Sequence, residues 1–133
     1  MAAKAIGPTG RATATELDPK MVAFMNDRAK AEGLSNFTAT AARTDSTGLP
    51  TASADAVLIV NTYSFFDRPQ EMLGSVAQSM RPGALLVIVD FPPSDGSGSA
   101  PDAVVATAKA AGLSAVDRHD VVPGHYLLRF RKP

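Results

Sequence analysis

Two short runs decide most of what this chain can become. Asp55 to Asn61 (DAVLIVN) and Ala84 to Phe91 (ALLVIVDF) are nearly unbroken stretches of β-branched and aliphatic residues. A strand that is half exposed to water alternates polar with apolar residues; one without that alternation is buried on both faces, as parallel strands under helices are. Between the runs lies a helical pattern. Asp67 and Pro69 open it, Met72, Val76 and Met80 form its apolar stripe, and Arg81-Pro82-Gly83 closes it as a turn. Strand, helix, strand in that order requires a crossover, and hence a parallel pair.

The flanking segments extend the alternation. Residues 2–6 read as the last turn of a helix, followed by the turn Gly7-Pro8-Thr9-Gly10. Arg11 to Glu16 (RATATE) is a short strand. Asp18-Pro19 then supplies an N-cap and a first-turn proline for a helix that Gly33 stops. Met21, Phe24, Met25, Arg28 and Ala29 share one face of that helix, and the methionines on both helical stripes (Met21, Met25, Met72, Met80) read as core. Asn36 to Ala41 is a second short strand, with a polar loop on to Pro50.

Past Phe91, Pro92 to Ser99 (PPSDGSGS) is a flexible loop, and Ser99 with Asp102 resembles a capping box for a helix ending near Gly112. Two strands, about 113–119 and 125–131, finish the chain around Pro123-Gly124; their link is too short for a crossover, so the last strand is antiparallel. His119 and His125 read as structural strand residues, and the Lys and Arg residues at 129–132 as a solvated end. The expected fold is α/β: a mostly parallel sheet with helices on both faces and an antiparallel C-terminal strand.

Composition narrows function by exclusion. Length suits one domain spanning residues 1–133. Thirteen basic residues balance thirteen acidic ones without any block of like charge, which argues against a nucleic-acid or membrane surface. There is no cysteine, so thiol catalysis, disulfides and cysteine metal sites are excluded; two histidines leave no conventional zinc site, and no metal is expected. No apolar run approaches the roughly 20 residues of a membrane span, and the first residues lack a signal peptide's apolar core. A cytoplasmic protein is expected.

Five segments in order carry a family resemblance: Thr15-Glu16-Leu17-Asp18-Pro19; Asp45 four residues ahead of Leu49-Pro50; Asn61-Thr62-Tyr63-Ser64-Phe65-Phe66; Met80-Arg81-Pro82-Gly83; and the ending from Gly112-Leu113 through Gly124-His125-Tyr126 to Phe130-Arg131-Lys132-Pro133. Together they resemble the class I S-adenosylmethionine-dependent methyltransferase family, of the type that acts on small molecules. The resemblance implies a three-layer Rossmann-like sheet in the order 3-2-1-4-5-7-6, with ligands beyond the carboxyl ends of the strands. It implies S-adenosylmethionine as cofactor. Glu16 would hold the ribose hydroxyls, a role that suits a carboxylate because it accepts two hydrogen bonds at once. Leu17 would lie against the adenine, Asp45 would accept from its amino group, and Asn61 and Thr62 would line the methionine end. Tyr63 and Phe65 would face the substrate. Glu16, Asp45 and Asn61 are expected to face a common crevice. No dedicated catalytic residue is expected, since methyl transfer needs alignment above all; Asp90 and Tyr63 are the candidate bases.

Each residue also has a plainer reading: Glu16 a solvated acid beside a helix start, Asp45 turn chemistry, Asn61 a cap, and Tyr63, Phe65 and Phe66 core. The family's first strand and its Gly-x-Gly loop would, counting back from Glu16, precede Met1. An N-terminally truncated domain is therefore expected, without its central strand. A hole of two strand spacings, roughly 9.5 Å, must close. Either the strands on its two sides pair directly, or another chain fills it, most simply in a homodimer, or the chain is a fragment of a longer enzyme. Three functions stay open: a small-molecule methyltransferase, a non-catalytic relic or dimer subunit that binds cofactor weakly or not at all, and a truncated nicotinamide-binding domain.

Overall fold

The computed structural model describes residues 2–94 and 96–133; Asp95, in the loop expected to be flexible, lies outside the described residues. The chain packs as two compact units, Met1–Arg43 and Thr44–Pro133.

The first unit holds α1 (Ala2–Ala5), β1 (Ala12–Glu16), α2 (Pro19–Ala31) and β2 (Phe37–Ala41). β1 and β2 pair in parallel, from Ala12 opposite Phe37 to Glu16 opposite Ala41. The start of α2 is as the sequence dictates: Asp18 accepts from the Lys20 N–H at 2.8 Å, with Pro19 next. Asn26 ties the helix to β2, its amide donating to the Ala39 carbonyl at 3.0 Å and its oxygen accepting from the Ala39 N–H at 2.8 Å. Small residues meet where these elements touch, Ala29 and Ala39 each being 4% exposed. The expected core face of α2 is formed only in part: Ala29 is buried and Met25 half-buried, but Met21 and Phe24 stay exposed at 44% and 56%. Two five-residue strands offer too little surface to cover the stripe of a 13-residue helix.

The second unit holds β3 (Ala54–Val60), a 3-10 turn (Tyr63–Phe65), α3 (Pro69–Ser79), β4 (Met80–Asp90), α4 (Pro101–Ala110), β5 (Ser114–Val122) and β6 (His125–Arg131). Its sheet runs β3-β4-β6-β5. β3 and β4 are parallel, as a crossover through α3 requires, and β6 lies antiparallel to both β4 and β5. The hairpin expected around Pro123-Gly124 is present, closed by the pair Val122 and His125. Leu86, Ile88, Leu128 and Phe130 line one face of the sheet and pack with Leu73 and Val76 of α3 and Val104 and Ala108 of α4 in a single core.

Several local readings are corrected. Met80 belongs to β4 and not to the helical stripe: it pairs with Ala54 and is 1% exposed, so the strand starts before Arg81-Pro82-Gly83 instead of after a turn. Burial of β3 and β4 on both faces is not found. Leu58 and Val60, on the face away from α3 and α4, are 61% and 47% exposed. The capping box is absent, because α4 starts at Pro101 behind Ala100, and Ser99 bonds elsewhere. Arg129 is no free solvated end; it grips Asp117 across the β5–β6 ladder with both Nε and Nη2. That pair is the first cause, ahead of His119, of an Asp117 carboxyl held below its usual range, with desolvation opposing.

Candidate functional site

In the first unit, Glu16 closes β1. Its Oε1 accepts from the Leu17 N–H at 2.7 Å and the Asp18 N–H at 3.1 Å. The carboxylate is thus clamped onto the turn into α2, and only one of its oxygens is used in doing so. Leu17 stands beside it, 52% exposed. A fixed acid next to an exposed apolar side chain can hold a diol and an attached flat ring.

In the second unit, Asn61 extends the β3–β4 ladder by one bond, its N–H donating to the Val89 carbonyl at 2.8 Å. It then turns the chain with a left-handed backbone (φ 49°), a conformation asparagine tolerates better than most residues. The Thr62 hydroxyl donates to the Val60 carbonyl at 2.7 Å, so its proton is already committed. The 3-10 turn that follows separates the two aromatic candidates. Tyr63 is 6% exposed, edge-to-face with Phe66 in the core, whereas Phe65 is 68% exposed. Of the expected substrate wall, only Phe65 faces outward.

Asp45 lies in the loop that leads into β3, with its Oδ2 3.6 Å from the Arg68 Nη1 at the start of α3. The ion pair ties the loop at Asp45 to the start of α3. Neighbouring hydroxyls fasten the same loop to α3: the Thr47 N–H donates to the Ser75 Oγ at 3.0 Å, and the Thr47 and Ser46 hydroxyls lie 3.1 and 3.3 Å from it. Nothing in the sequence pattern singles out Ser75.

Asp90 ends β4 and is fully buried. Its Oδ1 accepts from the Phe91 N–H and its Oδ2 from the Ser64 N–H, both at 2.9 Å. With both oxygens engaged and no exposure, it has no opening toward a nucleophile, so the sequence's suggestion of a base here is not supported. The Tyr126 hydroxyl, pushed up to about 12 by burial first and then by the charges of Asp90 and Tyr63, donates to the Ser99 carbonyl at 2.9 Å. The Ser99 hydroxyl in turn donates to the Ser64 Oγ at 3.2 Å. A signal for this cluster is present in the sequence: Asp90 falls on the same alternation as buried Leu86 and Ile88.

An open cleft of about 460 Å³ in the second unit is lined by Pro92, Pro101, Arg118, Val122, His125 and Tyr126 among others, and by none of the ligand residues expected from the sequence. Among the described residues, no group of three or more His, Asp or Glu side chains is placed to hold a metal. None of the described helices is long and apolar enough to cross a membrane.

Comparison with known proteins places the fold. No curated protein matches the sequence significantly. A SAM-dependent methyltransferase from Aquifex aeolicus superposes with a TM-score of 0.86 at 19% identity, over 98% of this chain and 73% of that one. The cyclase SpnF gives a TM-score of 0.86 at 16% identity, over 99% and 69%. A methyltransferase from Mesorhizobium loti gives 0.75 at 15%, over 92% and 80%. At these identities the likeness is one of fold, and the cyclase shows that the fold serves more than one chemistry. A family profile described as Methyltransferase domain matches residues 1–88, from α1 into β4. This chain therefore belongs to the methyltransferase domain family, with the α/β Rossmann-like fold of its class I S-adenosylmethionine-dependent members.

Proposed function

We propose that this chain serves methyl transfer from S-adenosylmethionine to a small-molecule acceptor, and that it needs one more strand to do so efficiently. The observation that carries the reading is strand order. We read the sheet β2-β1 as the family's strands 3-2 and the sheet β3-β4-β6-β5 as its strands 4-5-7-6. On this reading the strands of the described residues match the family's order at every position but the central one.

The residues present fit part of the cofactor. Glu16, clamped by two N–H groups, is a fixed acceptor for ribose hydroxyls, with Leu17 for the adenine. Asp45 suits the adenine amino group, although Arg68 competes for it. Asn61 and Thr62 supply polar groups at the carboxyl end of β3, where the methionine end would lie, and Phe65 supplies the acceptor's apolar wall. Bound S-adenosylmethionine brings a methyl on a sulfonium whose leaving group is already activated. The task left to the chain is orientation.

The non-catalytic reading is favoured by a different observation. Among the described residues, β3 ends its sheet with an unpaired edge and the exposed side chains Leu58 and Val60, a surface that natural edge strands avoid. The six strands of the described chain are already placed, so a second copy fills this edge only with its own edge strand. A homodimer joined at β3 is the simplest such assembly. Across a two-fold axis the two strands run antiparallel.

Calorimetric titration of the purified chain with S-adenosylhomocysteine separates the two readings. Micromolar binding supports the enzyme. No heat from a chain with a folded circular dichroism spectrum overturns it and leaves the non-catalytic subunit.

A further inference from the structure

We propose that Asp90 is a positioning residue for the acceptor site: acting through Ser64, it fixes the turn that presents Phe65 and fastens that turn to the closing foot of the Pro92–Gly98 loop. The inference rests on the reading of Phe65 as the acceptor's wall and adds how that wall is held.

The placement of Asp90 is the first support. Leu86, Ile88 and Asp90 follow one another on the buried face of β4, and each is fully buried. A leucine at 90 would continue the core with no desolvation cost, whereas a buried carboxylate needs its oxygens satisfied. Both are satisfied by backbone N–H groups, one on β4's own continuation at Phe91 and the other on Ser64 across in the 3-10 turn. The bond to Ser64 spans 26 residues of sequence and joins the carboxyl ends of β3 and β4.

Ser64 is also where the loop attaches. Its hydroxyl accepts from Ser99, and the Ser99 N–H donates to the Phe91 carbonyl at 3.0 Å, so the two feet of the Pro92–Gly98 excursion meet directly beside Asp90. Tyr126, 2% exposed, covers the cluster from β6 and binds the Ser99 carbonyl. One carboxylate thus sits at the junction of the turn, the loop foot and the hairpin.

Phe65, the residue next to Ser64, is the outward product of this arrangement. An aromatic ring on a rigid turn offers a flat apolar surface at low ordering cost, which suits an acceptor with an aromatic or otherwise flat apolar face. Asp90 itself touches no acceptor, and its action runs through Ser64.

The chain has no tryptophan, so Phe65→Trp creates a single indole at the proposed wall, excited at wavelengths where the two tyrosines do not absorb. Time-resolved anisotropy of this protein is expected to show the introduced indole following overall tumbling with little fast local motion. Adding Asp90→Asn, which sets an amide NH₂ against one of the two N–H donors, is expected to raise the amplitude of the fast component at least two-fold. Asp120→Asn, an exposed charge change on β5, is expected to leave it unaltered. Unchanged anisotropy in a folded Asp90→Asn protein overturns the proposal. Should that variant fail to fold, Ser99→Ala removes only the bond to Ser64; a smaller rise supports the proposal and no change overturns it. Titration of the parent with S-adenosylhomocysteine tests the methyltransferase reading by itself, and its failure would leave the anisotropy result standing.

Discussion

Gly96 and Gly98 form a matched pair for testing how the loop after β4 is closed. Both have left-handed backbones, with φ of 82° and 86°, but a Cβ on Gly96 would meet nothing within 4 Å. A Cβ on Gly98 would fall 2.4 Å from the Pro92 carbonyl oxygen and 2.8 Å from that of Phe91. Relief to an ordinary contact of 3.4 Å requires about 1 Å of movement, in backbone that cannot swing aside like a side chain. The Phe91 carbonyl that must give way is also the acceptor for the Ser99 N–H. Gly96→Ala should cost about 1 kcal/mol, the strain of a left-handed alanine. Gly98→Ala adds overpacking of about 1–3 kcal/mol and a lost hydrogen bond of about 1 kcal/mol, giving about 3–5 kcal/mol in all. For a chain of this length, thermal melts by circular dichroism should move by about 4 °C per kcal/mol. Gly96→Ala is then expected to melt about 4 °C lower than the parent, and Gly98→Ala about 12 °C lower or more. Equal lowering in the two variants, within about 2 °C, would refute the idea that the loop's feet are held in close contact.

Two further expectations concern the second unit. The raised Tyr126 hydroxyl means that folding favours the protonated phenol. Its stabilisation is complete below pH 10 and is lost as pH rises from 10 through about 12. Stability measured by urea unfolding should fall across that window, less steeply in Tyr126→Phe; equal slopes would remove the burial argument. Leu58→Lys places a charge on the open face of β3 at a side chain already 61% exposed, so stability should shift by no more than about 0.5 kcal/mol. If the chain self-associates through that edge, light scattering should show a dimer for the parent and a monomer for the variant, since lysine is a natural guard of strand edges. A dimer that persists in Leu58→Lys places the interface elsewhere.

Much of the fold can be read from local chemistry. Asp18-Pro19 starts α2, Gly33 and Gly112 follow helix ends, and the short link at Pro123-Gly124 forces the antiparallel last strand. These signals act over a few residues, and the chain obeys them. What the pattern does not supply is which faces find a neighbour. DAVLIVN reads as buried on both sides, yet Leu58 and Val60 lie open because helices cover one face of this four-stranded sheet. The same holds for Met21 and Phe24 on α2.

At the site, residue types are legible and their engagement is not. Tyr63 and Phe65 look alike in sequence, and only the pitch of the 3-10 turn sends one inward and the other out. Asp90 reads as a base because it ends a strand at the ligand edge; its two backbone donors, one from 26 residues away, make it an anchor. Ser64 and Ser75 carry no spacing signal, and the spacing of Ser99 to Asp102 points to a cap that is not formed, for a serine hydroxyl becomes informative only once its partner is known.

The claim that this chain retains a working part of a cofactor site turns on Glu16. The most direct measurement is calorimetric titration of S-adenosylhomocysteine into the parent chain and into Glu16→Gln, which keeps an oxygen for the Leu17 and Asp18 N–H groups while removing the charge. Loss of charge-assisted hydrogen bonds worth about 1.5–3 kcal/mol should weaken binding by about 10- to 100-fold. Saturable binding to the parent with that loss in the variant is the predicted result. A folded parent that gives no heat, or equal affinity in the two proteins, would contradict it.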